Sequence, residues 1–258
     1  MTGPIRLPDF IIGGAARSGT TWLYHLLDRH PGVYMAKPVR PEPKFFLMDD
    51  LFAKGIDYYS QRWFADAPAG AKLGEKSTNY LEGGRKVADR ICAASPDSKL
   101  IFSLRNPVTR AFSNYLWSKM NGLENETFER ALELEPERLT TTPPEWRHSP
   151  PGAYFARGLY ADLLTPFFER FPKEQIMVLR FEDVTNAAGA ATVAGRLHRF
   201  IGVEERIADS DQLPPINPSK NDGEIISGRA ANGLAQRYAE PNQRLAAMLG
   251  DDAFLWRE

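Results

Sequence analysis

The sequence of 258 residues is 43% hydrophobic, and its 32 basic and 33 acidic side chains leave a net charge of −1. This length and apolar content suit a single α/β domain with one large core, while the balanced charge excludes a global field that would draw the chain onto nucleic acid or an anionic membrane. The lone cysteine, Cys92, excludes an intramolecular disulfide and a cysteine-built zinc site, and no stretch approaches the ~20 apolar residues of a membrane span.

The N-terminal apolar run is too short for the core of a signal peptide, so a soluble cytoplasmic protein is expected. That run, Phe10-Ile11-Ile12, reads as a strand entering a glycine-rich turn, and Thr20 to Arg29 follows with Trp22, Leu23, Leu26 and Leu27 on one helical face. Lys99 to Leu104 is a second buried strand, and Arg105-Asn106-Pro107 leads into a helix whose first turn Pro107 suits. Residues 136–152 carry Pro136, Pro143, Pro144, Pro150 and Pro151, which predicts an irregular surface loop. A helix is expected from Tyr160 to Phe171 and a third strand from Gln175 to Phe181. Helices over 186–201 and 229–249 are separated by a second proline-rich loop over 208–223. Strands alternating with amphipathic helices predict an α/β fold: one domain over 1–258, a central parallel sheet, a P-loop-like phosphate-binding strand-loop-helix, and helices on both faces. The irregular stretches, about 123–152 and 203–223, are expected to line or cover a ligand cleft.

The glycine-rich turn carries the first chemical signal. From Gly14 the spacing is glycine, four residues, Gly19, then Thr20 and Thr21, where a Walker-type loop has lysine at the position of Thr20. A strand, such a turn and a helix aim backbone N–H groups and the positive helix end at one spot, and Arg17, Ser18, Thr20 and Thr21 add donors. Phosphoryl transfer relies on the missing lysine and on a metal to neutralise the β- and γ-phosphates. No apolar run ending in a metal-holding aspartate is evident. A group of lower charge suits hydroxyls, amides and one arginine, and a sulfuryl group carries a single formal negative charge. The second signal is Arg105 with Ser113, eight residues on. Arg105 lies at the carboxyl end of a strand and Ser113 about two helical turns along. The spacing reads either as a grip on one phosphate or as a surface arginine and a solvated serine.

Together, Arg17-Ser-Gly-Thr-Thr-Trp22 and the Arg105 and Ser113 pair resemble the sulfotransferases that use 3'-phosphoadenosine 5'-phosphosulfate (PAPS). The resemblance implies that Arg17, Ser18, Gly19, Thr20, Thr21 and Trp22 hold the 5'-phosphosulfate, and that Arg105 and Ser113 hold the 3'-phosphate that distinguishes PAPS from ATP. It also implies adenosine 3',5'-bisphosphate (PAP) as the product, with no metal required. Pro41-Glu-Pro-Lys-Phe-Phe46, Lys54-Gly-Ile-Asp-Tyr-Tyr59, Gly74-Glu-Lys-Ser-Thr-Asn-Tyr80 and Glu240-Pro-Asn-Gln-Arg-Leu245 are similar to stretches of heparan sulfate sulfotransferases and their bacterial relatives. Arg157-Gly-Leu-Tyr160, followed by Phe167-Phe-Glu-Arg-Phe-Pro172, matches the helix before the third strand there, which adds Tyr160 to the cofactor-binding set. Asn217-Pro-Ser-Lys-Asn221 resembles the loop that closes over the nucleotide, which adds Ser219, Lys220 and Asn221.

Within that resemblance Glu42 matches the glutamate assigned as general base in heparan O-sulfotransferases, and Glu75 matches the base of the N-sulfotransferase branch. Lys76 is expected to position Glu42 or stabilise the sulfuryl group, and Arg17 to lie near the departing phosphate. His25, His30, His148 and His198 fall in no matching motif and read as capping or surface residues. Two departures narrow the reading. Arg17 stands where lysine is usual, which keeps the charge and changes its geometry. Cys92 cannot form the disulfide of the heparan enzymes, which points away from a secreted or Golgi enzyme and toward a bacterial enzyme tailoring a natural product or glycan. Its partner is then a small-molecule, sugar or carrier-bound acceptor, with no nucleic acid and no membrane insertion expected, and no motif specifies the oligomeric state. The rival readings are a P-loop small-molecule kinase and a non-catalytic nucleotide-binding module.

Overall fold

The apolar runs form five strands: β1 (Phe10–Gly14), β2 (Val33–Met35), β3 (Lys72–Lys76), β4 (Lys99–Leu104) and β5 (Ile176–Arg180). They make one sheet in the order β2-β3-β1-β4-β5, with β1 parallel to β3 and β4, and β2 parallel to β3. The helices are α1 (Thr20–Asp28), α2 (Asp49–Phe52), α3 (Gly55–Phe64), α4 (Tyr80–Ala94) and α5 (Pro107–Met120), then α6 (Phe128–Thr141), α7 (Tyr160–Phe168), α8 (Phe181–Thr185), α9 (Ala187–Ile201) and α10 (Gly228–Leu249). This computed structural model describes residues 4–143, 146, 148–185, 187–206 and 223–256. The contacts divide the chain into two compact units, one drawn from Met1–Ser103 and Pro166–Ile216, the other from Leu104–Thr165 and Asn217–Glu258.

In the first unit, successive side chains of a strand point to opposite faces. Phe10 and Ile12 of β1 join Ile101 of β4 and Leu179 of β5 in a cluster closed by α1 and α9, through Leu23, Leu26, Leu27, Val193, Ala194 and Leu197. Phe102 turns to the other face, where its ring meets Phe167 of α7 at 5.0 Å. The sheet is therefore covered on both sides, as a parallel sheet must be to bury its apolar strands. β1 is the central strand, so the turn after it opens at the carboxyl edge, where ligands of open α/β sheets bind.

In the second unit, α5, α6 and α10 close on Ala111, Tyr115, Phe128, Ala131, Tyr154, Leu234 and Tyr238. Asn106 caps α5 by accepting the Val108 N–H at 3.0 Å, and Pro107 takes the first helical position, where its missing N–H costs nothing. Among the described residues no helix is long and apolar enough to cross a membrane.

The strands at 99–104 and 176–180 and the helices after them appear close to where the sequence pattern places them. One expectation is corrected: the irregular stretch expected over about 123–152, with a loop over 136–152, holds a helix, because α6 runs from Phe128 through Pro136 to Thr141. Proline inside a helix forfeits a hydrogen bond. Here the last turn is held from outside, by the two hydrogen bonds Arg138 makes to Glu124 at 2.6 and 3.1 Å. It is also held by Glu135, whose oxygens accept the Phe155 and Ala156 N–H groups at 2.7 and 2.8 Å. The sequence pattern also passed over β2 and β3. β2 is only three residues long, and β3, Lys-Leu-Gly-Glu-Lys, carries charge at both ends.

Candidate active site

The turn after β1 has the local geometry of an anion cradle. Gly19 caps α1 in the left-handed region, at φ 78, and a Cβ there would lie 3.1 Å from the Phe181 ring. At Gly14 a Cβ would sit 2.8 Å from Leu81 Cβ and 3.2 Å from the Thr78 carbonyl oxygen. Glycine at both positions thus follows from conformation and close approach. Arg17 also takes a left-handed φ of 68. Among the described residues no side chain caps α1 and its first turn holds no acidic residue, so its leading N–H groups and dipole suit an anion. Ser18 is fully buried, and among the described residues its hydroxyl has no hydrogen-bond partner. An orphaned buried donor beside an uncapped helix start fits a bound phosphate or sulfate group. Trp22, by contrast, is part of the apolar cluster under the sheet, so its side chain serves the core.

Next to this turn lies a polar cluster centred on Glu42. Lys76, from the end of β3, donates to Glu42 Oε1, and Thr78 donates to the same oxygen through its hydroxyl at 2.7 Å. The Thr78 N–H donates to Oε2 at 2.9 Å. The Thr78 hydroxyl lies 3.4 Å from that of Thr20, so a chain of hydroxyls joins the glycine-rich turn to Glu42. The Lys76 side chain is 2% exposed and that of Glu42 13%. Burial alone would raise the Glu42 pKa, but the charge of Lys76 and the hydrogen bonds from Lys76 and Thr78 outweigh it and hold the carboxyl below its ordinary value. Burial pulls the Lys76 ammonium down, against the opposing charge of Glu42, with Arg40 and Lys44 adding to the lowering.

Glu75, the neighbouring residue on β3, is 0% exposed and points to the other face of the sheet. Ser77 donates to its Oε1 at 2.6 Å, Tyr59 donates to Oε2, and Tyr80 hydrogen-bonds it as well. Burial raises its pKa, with those hydrogen bonds opposing. A carboxylate so enclosed presents no oxygen to an acceptor.

In the second unit, Arg105 follows β4 directly and Ser113 lies in α5. The Arg105 Nε donates to Thr109 at 3.0 Å, and the Tyr160 hydroxyl donates to the Arg105 carbonyl at 2.9 Å. Tyr160 is 1% exposed, which makes it a brace for the Arg105 backbone. Ser219, Lys220 and Asn221 lie outside the described residues.

Two of the histidines depart from the capping-or-surface reading, because His30 and His198 are buried, at 7% and 1% exposure. His30 is buried, with Nδ1 accepting the Gly32 N–H and Nε2 bonded to the Glu204 carbonyl, both at 3.0 Å. Burial lowers the His25 pKa, and Lys76 and Arg29 add to the lowering against Asp28. Sequence reading missed Thr78 as a site residue. Its one signal was position, directly after Glu75-Lys76-Ser77 in a stretch already marked by similarity. Among the described residues no group of three or more His, Cys, Asp or Glu is arranged to hold a metal.

These features have counterparts in known proteins. The family described as the sulfotransferase domain matches residues 7–213. Human heparan sulfate glucosamine 3-O-sulfotransferase 3B1 is 31% identical over 209 residues, which cover 81% of this chain and 49% of that protein. The chain thus spans about half the length of the curated relatives it matches. A solved sulfotransferase from Alicyclobacillus acidocaldarius superposes with a TM-score of 0.78 at 28% identity, over 98% of this chain and 100% of that one. A mouse sulfotransferase complexed with PAP shares the fold at a TM-score of 0.58 and 15% identity, over 95% of this chain and 88% of that one. With the uncapped phosphate turn and the Glu42 cluster in place, the chain belongs to the sulfotransferase domain family.

Proposed function

We propose that this chain transfers a sulfuryl group from PAPS to a hydroxyl, or an amine, of a small-molecule, sugar or carrier-bound acceptor, with Glu42 as general base. The observation that carries this reading is the hydroxyl chain from Thr20 in the phosphate turn through Thr78 to Glu42. It sets a carboxylate beside the place where the transferred group would be held. PAPS, when bound, supplies the activated sulfuryl group and departs as PAP. Ser18, Gly19, Thr20, Thr21 and the backbone of Trp22 would hold its 5' end with Arg17, and Arg105 and Ser113 its 3'-phosphate.

The chain's own contribution is the handling of the acceptor proton and the developing charge. Glu42 Oε1 already accepts from Lys76 and Thr78, whereas among the described residues Oε2 accepts only the Thr78 N–H. A carboxylate oxygen has two lone-pair sites, so Oε2 is the atom that takes the proton from the acceptor. As that proton moves, Glu42 is neutralised, and the Lys76 ammonium would be released to face the sulfuryl group in transit, while negative charge would build on the bridging oxygen that leaves with the phosphate. Arg17, in the same turn as Ser18, compensates charge on the departing phosphate.

The relatives act, by their names, on heparan sulfate glucosamine, and an acceptor hydroxyl on a sugar is the corresponding choice here. A single cysteine suits a reducing, cytoplasmic setting. The decisive experiment is a thermal-shift titration with PAP against ATP and Mg²⁺, followed by transfer from ³⁵S-labelled PAPS across sugar, phenol and amine acceptors. PAP is expected to stabilise the protein and ATP to leave it unchanged. Stabilisation by ATP and Mg²⁺ with no response to PAP would replace this reading with a kinase.

A further inference from the structure

Glu75 has no part in the chemistry above, yet it is a fully buried carboxylate beside the active-site lysine. What it touches leads to Glu42 by a second route. Ser77, which donates to Glu75 at 2.6 Å, accepts the Lys44 N–H at 2.8 Å. Tyr80, which also hydrogen-bonds Glu75, accepts the Phe46 N–H at 3.1 Å. Lys44 and Phe46 belong to the segment that carries Glu42, and Lys44 takes a left-handed φ of 49, a conformation that a non-glycine residue keeps only when its surroundings impose it. The third donor to Glu75, Tyr59, stacks its ring on Phe45 at 4.4 Å, so the side chain between the two amides is held as well.

The polarity of this network is fixed by the two backbone amides. The Lys44 and Phe46 amides can only donate, so Ser77 and Tyr80 accept them on their lone pairs and turn their hydrogens toward the Glu75 oxygens. We propose that Glu75 is a positioning residue: through Ser77 and Tyr80 it fixes the backbone of Lys44 and Phe46 and thereby holds the Glu42 carboxylate against Thr78 and Lys76. This rests on Glu42 being the base, and it gives Glu75 a role that needs no access to the acceptor.

The test uses the full chain and needs no acceptor. Three quantities are measured in the native protein and in Glu75→Gln, Tyr80→Phe and Ser77→Ala: hydrogen exchange at the Lys44 and Phe46 amides, the ¹³C-carboxyl titration of Glu42, and PAP affinity by calorimetry. A glutamine amide donates to one of the hydroxyls and reverses it. In Glu75→Gln at least one of the two amides should therefore exchange about tenfold faster or more, the Glu42 midpoint should rise toward its ordinary value, and PAP affinity should stay within about twofold. Tyr80→Phe should release Phe46 alone and Ser77→Ala Lys44 alone, each with a smaller rise at Glu42.

If Glu75→Gln does not fold, the two hydroxyl deletions decide the matter. Unchanged exchange and an unchanged Glu42 titration in the folded variants would overturn the proposal. The base assignment is tested apart from it, by sulfate transfer in Glu42→Gln. Near-normal turnover there would remove the base and leave the positioning of Glu42 by Glu75 standing.

Discussion

Lys76 and Glu42 form an ion pair in which, among the described residues, only one carboxylate oxygen is saturated: Oε1 takes the ammonium and the Thr78 hydroxyl, and Oε2 takes the Thr78 amide alone. The pair is nearly out of solvent, at 2% and 13% exposure. Glu42→Gln keeps the shape and an acceptor but cannot take a proton. Sulfate transfer should fall by about 10³-fold, within the range general-base removal produces, while PAP binding stays intact. Initial rates with labelled PAPS and calorimetry with PAP measure the two separately.

Removing the cation leaves Glu42 as a mostly buried charge. Lys76→Ala should cost about 3 kcal/mol in urea unfolding, the scale for breaking one side of a buried pair. Glu42→Gln combined with Lys76→Met should recover most of that, because no unpaired charge remains. A double variant as unstable as Lys76→Ala would show that packing, and not charge, sets the loss.

The pH dependence has a definite sign. The Glu42 pKa is below its ordinary value of 4.5 in the folded chain, so the unfolded chain binds more protons as the solution is acidified. The stabilisation is fully present above the ordinary pKa and disappears as pH falls through the folded one. The stability gap between the native protein and Glu42→Gln should therefore shrink below about pH 4, as followed by urea midpoints across pH. Lys76 is also lowered, from 10.5, so on the alkaline side the unfolded chain again binds more protons and the Lys76 contribution rises with pH there.

At Gly19 a side chain meets two obstacles, the left-handed φ of 78 and the Phe181 ring 3.1 Å away. Gly19→Ala should cost about 1–2 kcal/mol through the left-handed conformation and weaken PAP binding by moving the first amides of α1. Thermal melting with and without PAP distinguishes a purely conformational cost, which leaves the PAP-induced shift unchanged.

Arg105 and Ser113 carry the discrimination for a 3'-phosphate in the proposed reading. Arg105→Ala should weaken PAP by about 10- to 100-fold, the worth of a charge-assisted hydrogen bond, and leave AMP affinity as it was. Equal losses for both nucleotides, measured by calorimetry, would place Arg105 elsewhere on the ligand or in the scaffold.

The sequence made the phosphate turn legible because its requirements are local. Gly14 and Gly19 are dictated by backbone conformation and close approach, and the strand before and helix after them have strong periodicity. Glu42 and Lys76 were legible only through likeness to other chains, since the contact joins residues 34 positions apart and no periodicity announces it. Thr78 went unread for the same reason. Pro136 misled because a proline's local cost is visible in sequence, whereas the Arg138 and Glu124 contacts that offset it are tertiary. The separate fates of Glu75 and Lys76 also needed the fold, because β3 is too short and too charged to be recognised as a strand.

Side-chain alternation along β3 has an implication for how chains of this design can vary in length. Glu75 and Lys76 lie on opposite faces because they are adjacent in a strand registered to β1, Glu75 against Ile11 and Lys76 against Ile12. Inserting or deleting one residue ahead of them within Lys72–Lys76 would rotate the carboxylate toward the turn and bury the ammonium among Tyr59 and Tyr80. The turn after the strand is fixed by the contacts of Ser77 and Thr78 to Glu75 and Glu42, and the strand itself is a reading frame. An indel there exchanges the chemistry of two neighbours without changing either one.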